Sequence, residues 1–173
     1  TWDYMSPRLL VLHGGIPLPP GGSSGGCVLL KHFRDIPHRM KIPPAPKTVL
    51  EQWMYQILWS DPAENEIGPK GRGTPFYPSH TNLFIEKNNL AGVIRAHQVP
   101  ANQRGVSFHH KDKLITVFTA SNYCGSSQNY GGVAIFTPSL FPQLAFERTL
   151  FEHWAPPLAV TRDILAKHQN ATQ

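Results

Sequence analysis

A chain of 173 residues, 40% hydrophobic and 16% charged, is long enough for one domain that buries roughly 70% of its unfolded surface, and too apolar for a disordered segment. Its formal charge of +5 suits an anionic substrate, but no run of five or more lysines and arginines occurs, which excludes a nucleic-acid signature. No apolar run approaches the roughly 18 residues of a membrane span, and Cys27 and Cys124 lie too far apart for the CxxC spacing of a zinc ribbon.

In chain order, residues 8–13 read as a short buried strand that ends in His13-Gly14-Gly15. The glycines remove side chains where the backbone turns sharply or approaches another group. Residues 17–26, rich in proline, glycine and serine, read as a flexible, solvated connector. A short helix is expected over 27–33, before Pro37, and the prolines within 41–47 force an extended path. Thr48 and Glu51 fit a capping box. Val49, Leu50, Trp53, Met54, Ile57 and Leu58 follow at helical spacing, predicting about three turns with one apolar face. This helix delivers the chain to Trp59-Ser60-Asp61-Pro62. Residues 63–79 read as a long polar loop, 81–87 as a short helix, and 90–94 as a second buried strand leading to His97. Residues 106–108 and 114–119 flank a polar turn at Lys111-Asp112 as a hairpin. Leu114, Thr116 and Phe118 share one face; Ile115, Val117 and Thr119 share the other. Two more strands are expected at 133–137 and 144–148. A tail follows from Phe151, with Pro156-Pro157 and then a short helix over 161–167.

His13 and His97 stand out because each ends an apolar strand. Neutral imidazole ligates zinc, iron and manganese without adding negative charge, so such a site keeps a positive field for phosphate. A histidine after an apolar strand is also commonly a packed, hydrogen-bonded residue, and the pair leaves both readings open. Arg72, in Lys70-Gly71-Arg72-Gly73, can hold two phosphate oxygens and stabilise charge on them, or can simply be solvated. Tyr123 carries a hydroxyl able to donate to a phosphate oxygen, or packs as a strand-end aromatic. Cys124 beside it has no activating neighbour. His32, His38, His80, His109, His110, His153 and His168 show no ligand spacing and are expected on the solvated surface. The cysteines favour a reduced, intracellular setting, cytoplasmic or nuclear, over a single disulfide. Thr1 is not an initiator methionine, so the natural start and any targeting segment are expected upstream.

Four segments, Leu12-His13-Gly14-Gly15, Trp59-Ser60-Asp61-Pro62, Ile94-Arg95-Ala96-His97-Gln98 and Ala120-Ser121-Asn122-Tyr123-Cys124-Gly125, occur in that order. They resemble the C-terminal half of the catalytic domain of the PPP family of serine/threonine protein phosphatases, over most of residues 8–137. The helix before Trp59 and the Ser-Asn-Tyr pattern look closer to the EF-hand-type (RdgC-like) branch, and Arg-Ala-His-Gln to the type 1 branch. The resemblance implies an α/β (α+β) fold class, the C-terminal half of a metallophosphoesterase two-sheet β-sandwich flanked by helices. Residues 1–150 would form the calcineurin-like phosphoesterase part and 151–173 the tail. It implies that His13 and His97 bind the second of two divalent metals, manganese, iron or zinc, about 3.5–4 Å apart, which activate a hydroxide for in-line attack on phosphorus. It makes Arg72 the catalytic, phosphate-contacting arginine, puts Tyr123 on the substrate-binding wall of the cleft, and sets Asp61 near the substrate approach with Trp59 in the core. The segment Thr74-Pro75-Phe76-Tyr77-Pro78 departs from the family's Phe-Gly ending, and Ser126-Ser127-Gln128 is neutral where acidic residues are common.

The family's GDxHG, GDxVDRG and GNHE signatures do not occur in the chain. In the family they supply the remaining metal ligands, a second phosphate-binding arginine and the histidine that protonates the leaving serine. His13 and His97 are then two ligands of an incomplete site, in a half-domain expected to expose an apolar face and to be inactive in isolation. The implied activity is hydrolysis of phosphoserine and phosphothreonine. The implied partners are a phosphoprotein substrate, the N-terminal half of the domain and a regulatory subunit, with no nucleic acid and no membrane span. Two other functions stay open. One is a non-catalytic binding or scaffold module derived from a phosphatase; the other is a dinuclear phosphoesterase of nucleotides or small phosphates.

Overall fold

Three parallel strands carry the architecture, described in a computed structural model over residues 8–20, 26–37, 39–65, 73–138 and 146–153. Strands β1 (Leu9–Val11), β2 (Gly92–Arg95), β3 (Val106–His109) and β4 (Leu114–Val117) form one sheet in the order β1-β2-β4-β3. β1 and β4 flank β2 in parallel, with Leu10 opposite Val93 and Ile94 opposite Ile115. β3 pairs antiparallel with β4 across the turn that the polar Lys111-Asp112 pair predicts. Parallel neighbours require a crossover. Between β1 and β2 it contains helices α1 (Val49–Trp59) and α2 (Pro78–Asn88). A second, antiparallel pair, β5 (Gly131–Pro138) and β6 (Phe146–His153), runs past β3 and β4, so the described residues form two sheets with helices beside them.

The capping box at α1 is formed as expected. Thr48 Oγ1 accepts from the Glu51 backbone N–H at 3.2 Å, and Glu51 Oε2 accepts from the N–H groups of Thr48 and Lys47. Those backbone donors hold the Glu51 carboxyl below its ordinary range. α1 has no residue fully inside; Val49 at its start is exposed and the rest is half-buried. The core is instead built by Ile16, Leu18, Phe76, Phe84, Ile85, Val93 and Leu114.

Three departures from the sequence reading follow from this core. Residues 17–26 do not start as a solvated connector, because Pro17 and Leu18 are buried with Ile16. The polar groups of Leu18 are met by α1: its N–H donates to Gln56 Oε1 at 2.8 Å and its carbonyl accepts from Trp53 Nε1 at 3.2 Å. Residues 63–79 are not wholly a polar loop either. Phe76 is fully buried and bridges to Pro62, and α2 begins at Pro78, where a proline costs no hydrogen bond. The short helix expected over 27–33 is a 3-10 helix over Leu30–Asp35. Asn88 holds the chain ahead of it, accepting from Leu30 N–H at 2.7 Å and donating to Val28 O. β6 carries its pairing as far as His153, and the helix expected over 161–167 lies outside the described residues. Val11, Val133 and Ile135 stand exposed on the strands. No helix among the described residues is long and apolar enough to cross a membrane.

The largest departure concerns His110, expected on the surface and found 2% exposed. Its Nε2–H donates to Ala63 O at 3.2 Å, which leaves Nδ1 to accept from Thr81 Oγ1 at 2.7 Å. The ring meets Phe76 edge-on, and the His110 backbone N–H donates to Glu64. The ring therefore ties the 63–64 segment, α2 and the β3–β4 turn together as the neutral tautomer. Burial lowers the pKa of His110 below 6.5, with Glu64 opposing, and burial likewise lowers that of the half-buried His109. Between the lowered folded pKa and the ordinary value near 6.5, the unfolded chain holds more protons than the folded one. This contribution to stability is therefore complete above pH 6.5 and is lost as pH falls below it. Urea midpoints measured from pH 7.5 down to 5 should fall with pH, and His110→Gln should flatten that dependence. An unchanged slope in the variant would show that the ring is not the titrating group.

Candidate functional site

The sheet's topology builds the site. β1, β2 and β4 run in the same direction, so the loops that leave their C-terminal ends share one edge of the sheet, the edge where ligands bind in open α/β sheets. The loop after β1 holds His13, the loop after β2 holds His97, and the loop after β4 leads to Tyr123. Backbone bonds lock the first two together. Leu12 N–H donates to Ile94 O at 3.0 Å and Ala96 N–H donates to His13 O at 2.9 Å. His97 adopts a left-handed φ of 67°, a conformation that a non-glycine residue holds only when its surroundings fix it.

The result brings His97 Nδ1 to 3.3 Å from His13 Nε2, with the rings 70° apart. Trp59 meets the His97 ring edge-on at 5.3 Å. His13 is exposed and His97 half-buried, so both nitrogens face a region open to solvent. Two nitrogens that each lie about 2.05 Å from one tetrahedral metal are about 3.3 Å apart. The pair thus fits two positions of one coordination sphere. Among the described residues, no third histidine, cysteine, aspartate or glutamate joins them.

Arg95 is the group that joins this pair to the Trp-Ser-Asp-Pro segment, and the sequence reading did not single it out. It is 1% exposed. Nε donates to Gly14 O at 2.7 Å, Nη1 to Gln98 Oε1 at 2.9 Å, and Nη2 to Asp61 Oδ1 at 2.8 Å and Ser60 O at 3.4 Å. Burial lowers its pKa, and the neighbouring Asp61 carboxylate opposes that shift. The signal was present: a cation inside the apolar run Val93-Ile94-Arg95 needs a buried partner. Asp61, expected near the substrate approach, has Oδ1 committed to this arginine.

The His-Gly-Gly segment lies directly on the end of α1. Gly14 N–H donates to Ile57 O, a carbonyl that the helix end leaves open, and Gly15 N–H shares Gln56 O with the Ser60 N–H. A Cβ on Gly14 would stand 2.6 Å from the Leu58 carbonyl carbon; on Gly15 it would strike Phe76 and Ser60. Arg72 lies outside the described residues. Gly73, next to it, has a φ of 81° and sits equally tightly on the Trp59–Ser60 backbone, while Thr74 N–H donates to the buried Ser60 Oγ.

Tyr123 is 49% exposed, with its ring edge-on to Phe118 at 5.1 Å, rather than a buried strand-end aromatic. Its loop is held by Asn129, a fully buried residue whose side chain accepts from Tyr123 N–H and donates to Ala120 O and Tyr130 O. No pattern in the sequence marked Asn129. Cys124 is exposed, and Cys27 and Cys124 are both free thiols.

The mixed α/β sheet thus presents two metal-capable side chains side by side at the ends of parallel strands. No family model matches the chain. Serine/threonine-protein phosphatase T of Saccharomyces cerevisiae is 39% identical over 132 residues, which are 75% of this chain and 23% of that protein. Serine/threonine-protein phosphatase 5 of Homo sapiens is 34% identical over 125 residues, 70% of this chain and 22% of that protein. A solved structure of a Saccharomyces cerevisiae protein serine/threonine phosphatase, described as similar to human phosphatase PP5, superposes with a TM-score of 0.64 at 32% identity. It covers 87% of this chain, and 46% of that chain is matched. The chain belongs to the PPP family of serine/threonine protein phosphatases, and it spans about a quarter of the length of the curated relatives it matches.

The contact between Gly14 and α1 leads to a direct test. Gly14→Ala sets a methyl group against backbone atoms that cannot swing away, so it should cost roughly 1–3 kcal/mol of stability, read from the urea midpoint. An unchanged midpoint would mean that the His13 loop does not sit on the helix end.

Proposed function

We propose that this chain forms part of a serine/threonine protein phosphatase that hydrolyses phosphoserine and phosphothreonine in protein substrates with the help of two divalent metals, manganese, iron or zinc. The observation that carries the proposal is the 3.3 Å approach of His97 Nδ1 to His13 Nε2 at the ends of two parallel strands. The family relationship supports it. His13 and His97 serve as neutral ligands of one metal; two ligands alone hold it weakly, so further ligands complete the site. Bound metal supplies a water acidified toward neutral pH and a positive field for the phosphoryl oxygens. The chain's own groups bind and orient the phosphate. Arg72 takes two of its oxygens, as a planar guanidinium can, and its loop is anchored through Gly73 and Thr74 to Trp59 and Ser60. The exposed Tyr123 hydroxyl donates a hydrogen bond from the cleft wall, on a loop stiffened by Asn129. Asp61 acts on this site through Arg95. A reduced, intracellular setting agrees with the two free thiols, and a regulatory subunit is the remaining expected partner.

The experiment replaces the matching 132 residues of the Saccharomyces cerevisiae phosphatase T with those of this chain and measures phosphopeptide hydrolysis and bound metal. The chimera should hydrolyse the phosphopeptide. His97→Ala in it should lower metal content and turnover together, the latter by at least 100-fold. A folded, metal-loaded chimera without hydrolysis would instead favour a phosphatase-derived binding module. Full turnover and metal occupancy in the His97→Ala chimera would remove the ligand assignment.

A further inference from the structure

We propose that Arg95, acting with Gln98, is the positioning unit that holds His13 and His97 at chelating distance; this rests on the metal-ligand reading above. The two histidines come from loops 84 residues apart, and one planar group brackets both. Arg95 Nε binds the carbonyl of Gly14, the residue after His13. Arg95 Nη1 binds the side chain of Gln98, the residue after His97. Nη2 fixes the third side of the guanidinium on Asp61 and Ser60, so the fork cannot rotate without breaking a bond to a buried acceptor. The backbone bond from Ala96 to His13 O sets how far apart the loops lie. The guanidinium sets how each loop continues past its histidine, and therefore where each ring points.

The left-handed φ of His97 is a conformation that this support helps to hold. A side-chain-bearing residue in that region is strained by roughly 1–3 kcal/mol and relaxes unless both flanks are held. Ala96 is held by its bond to His13, and Gln98 by its own N–H, which donates to Ala96 O at 2.8 Å, together with the bond of its side chain to Arg95. A lysine at position 95 would keep the charge and lose the fork, since an ammonium cannot reach Gly14, Gln98 and Asp61 in one plane. Groups that orient metal ligands through hydrogen bonds typically change metal affinity by about 10–100-fold when removed.

The test titrates Zn2+ into the full 173-residue chain, follows the imidazole Cε1–H resonances of His13 and His97, and measures urea midpoints on the same samples. In the unaltered chain both rings should shift together with a single Kd. The side chain of Gln98 lies at the surface, where water can replace it as the acceptor for Arg95 Nη1, so Gln98→Ala should leave the urea midpoint in place while weakening the Zn2+ Kd about tenfold. Arg95→Lys should weaken it at least as much. An unchanged Kd in Gln98→Ala, or a loss of affinity matched by a loss of stability, would overturn the positioning role. Rings that do not shift together in the unaltered chain, or an unchanged Kd in His13→Ala, would overturn the metal-ligand reading itself, and this inference with it.

Discussion

A guanidinium sealed from water is the constraint on which the rest of this structure depends. Arginine stays protonated in proteins, so burying Arg95 obliges the fold to surround its N–H donors with acceptors. Four acceptors meet it, and they come from three stretches of chain: Gly14, Ser60 with Asp61, and Gln98. Only Asp61 carries a charge. A buried ion pair is weak evidence for net stability, since the desolvation penalty offsets much of the attraction. Losing one partner is different, because it strands the other charge in a poorly solvated place. The pair therefore acts less as a source of stability than as a condition the three segments must satisfy at once, which is how side-chain chemistry fixes a single loop arrangement.

That condition is met only because the backbones come very close together. Gly14 and Gly15 lie on the last turn of α1 with no room for a Cβ, and their N–H groups donate to the Ile57 and Gln56 carbonyls at the helix end. α1 has no fully buried residue, so it is not a core element in the usual sense. Its role is to present an end: the Gln56 and Ile57 carbonyls on one side, and the Trp59–Ser60 backbone, on which Gly73 also sits, on the other. Gln56 extends the same function through its side chain, accepting from Leu18 and reaching Thr74. Loops that are separate in sequence are thus stacked against one rigid terminus, and the site inherits the rigidity of a helix although its histidines lie on loops.

The sequence made some of this legible and some not, for physical reasons that can be named. α1 was readable because its capping box and its 3.6-residue periodicity agree, and both are local signals. The β3–β4 hairpin was readable from the polar turn between alternating runs. The two histidines were readable because strand ends are where an α/β sheet puts its chemistry. What was missed is non-local. Pro17 and Leu18 looked like the start of a Pro/Gly connector, and only the partners Trp53 and Gln56, more than thirty residues on, let that extended backbone be buried. His110 looked like a surface histidine beside Lys111, because nothing near it in the chain announces Thr81 or Ala63 as its partners. Phe76 was lost in a loop for the same reason. Asn129 is a buried polar hub that no local pattern distinguishes from a solvated asparagine. Arg95 differs from these, since a cation within an apolar strand was a visible contradiction that acceptors such as Asp61 and the Gly14 carbonyl resolve.

The placement of charge around the two histidines follows from the same arrangement. Arg95 and Asp61 lie 2.8 Å apart and cancel at any distance beyond a few ångströms, so together they add little net field to the region above the strand ends. A histidine ligand contributes none when it binds metal as the neutral imidazole. A scaffold of this kind can organise ligands tightly without itself attracting or repelling a dianionic phosphate. The geometry at the two histidines is then fixed in the interior, by Arg95 and by the glycines that sit on α1. Residues 126–128 bond within their own loop, to Tyr123 and Asn122, and no bond described between that loop and the two histidines passes through them.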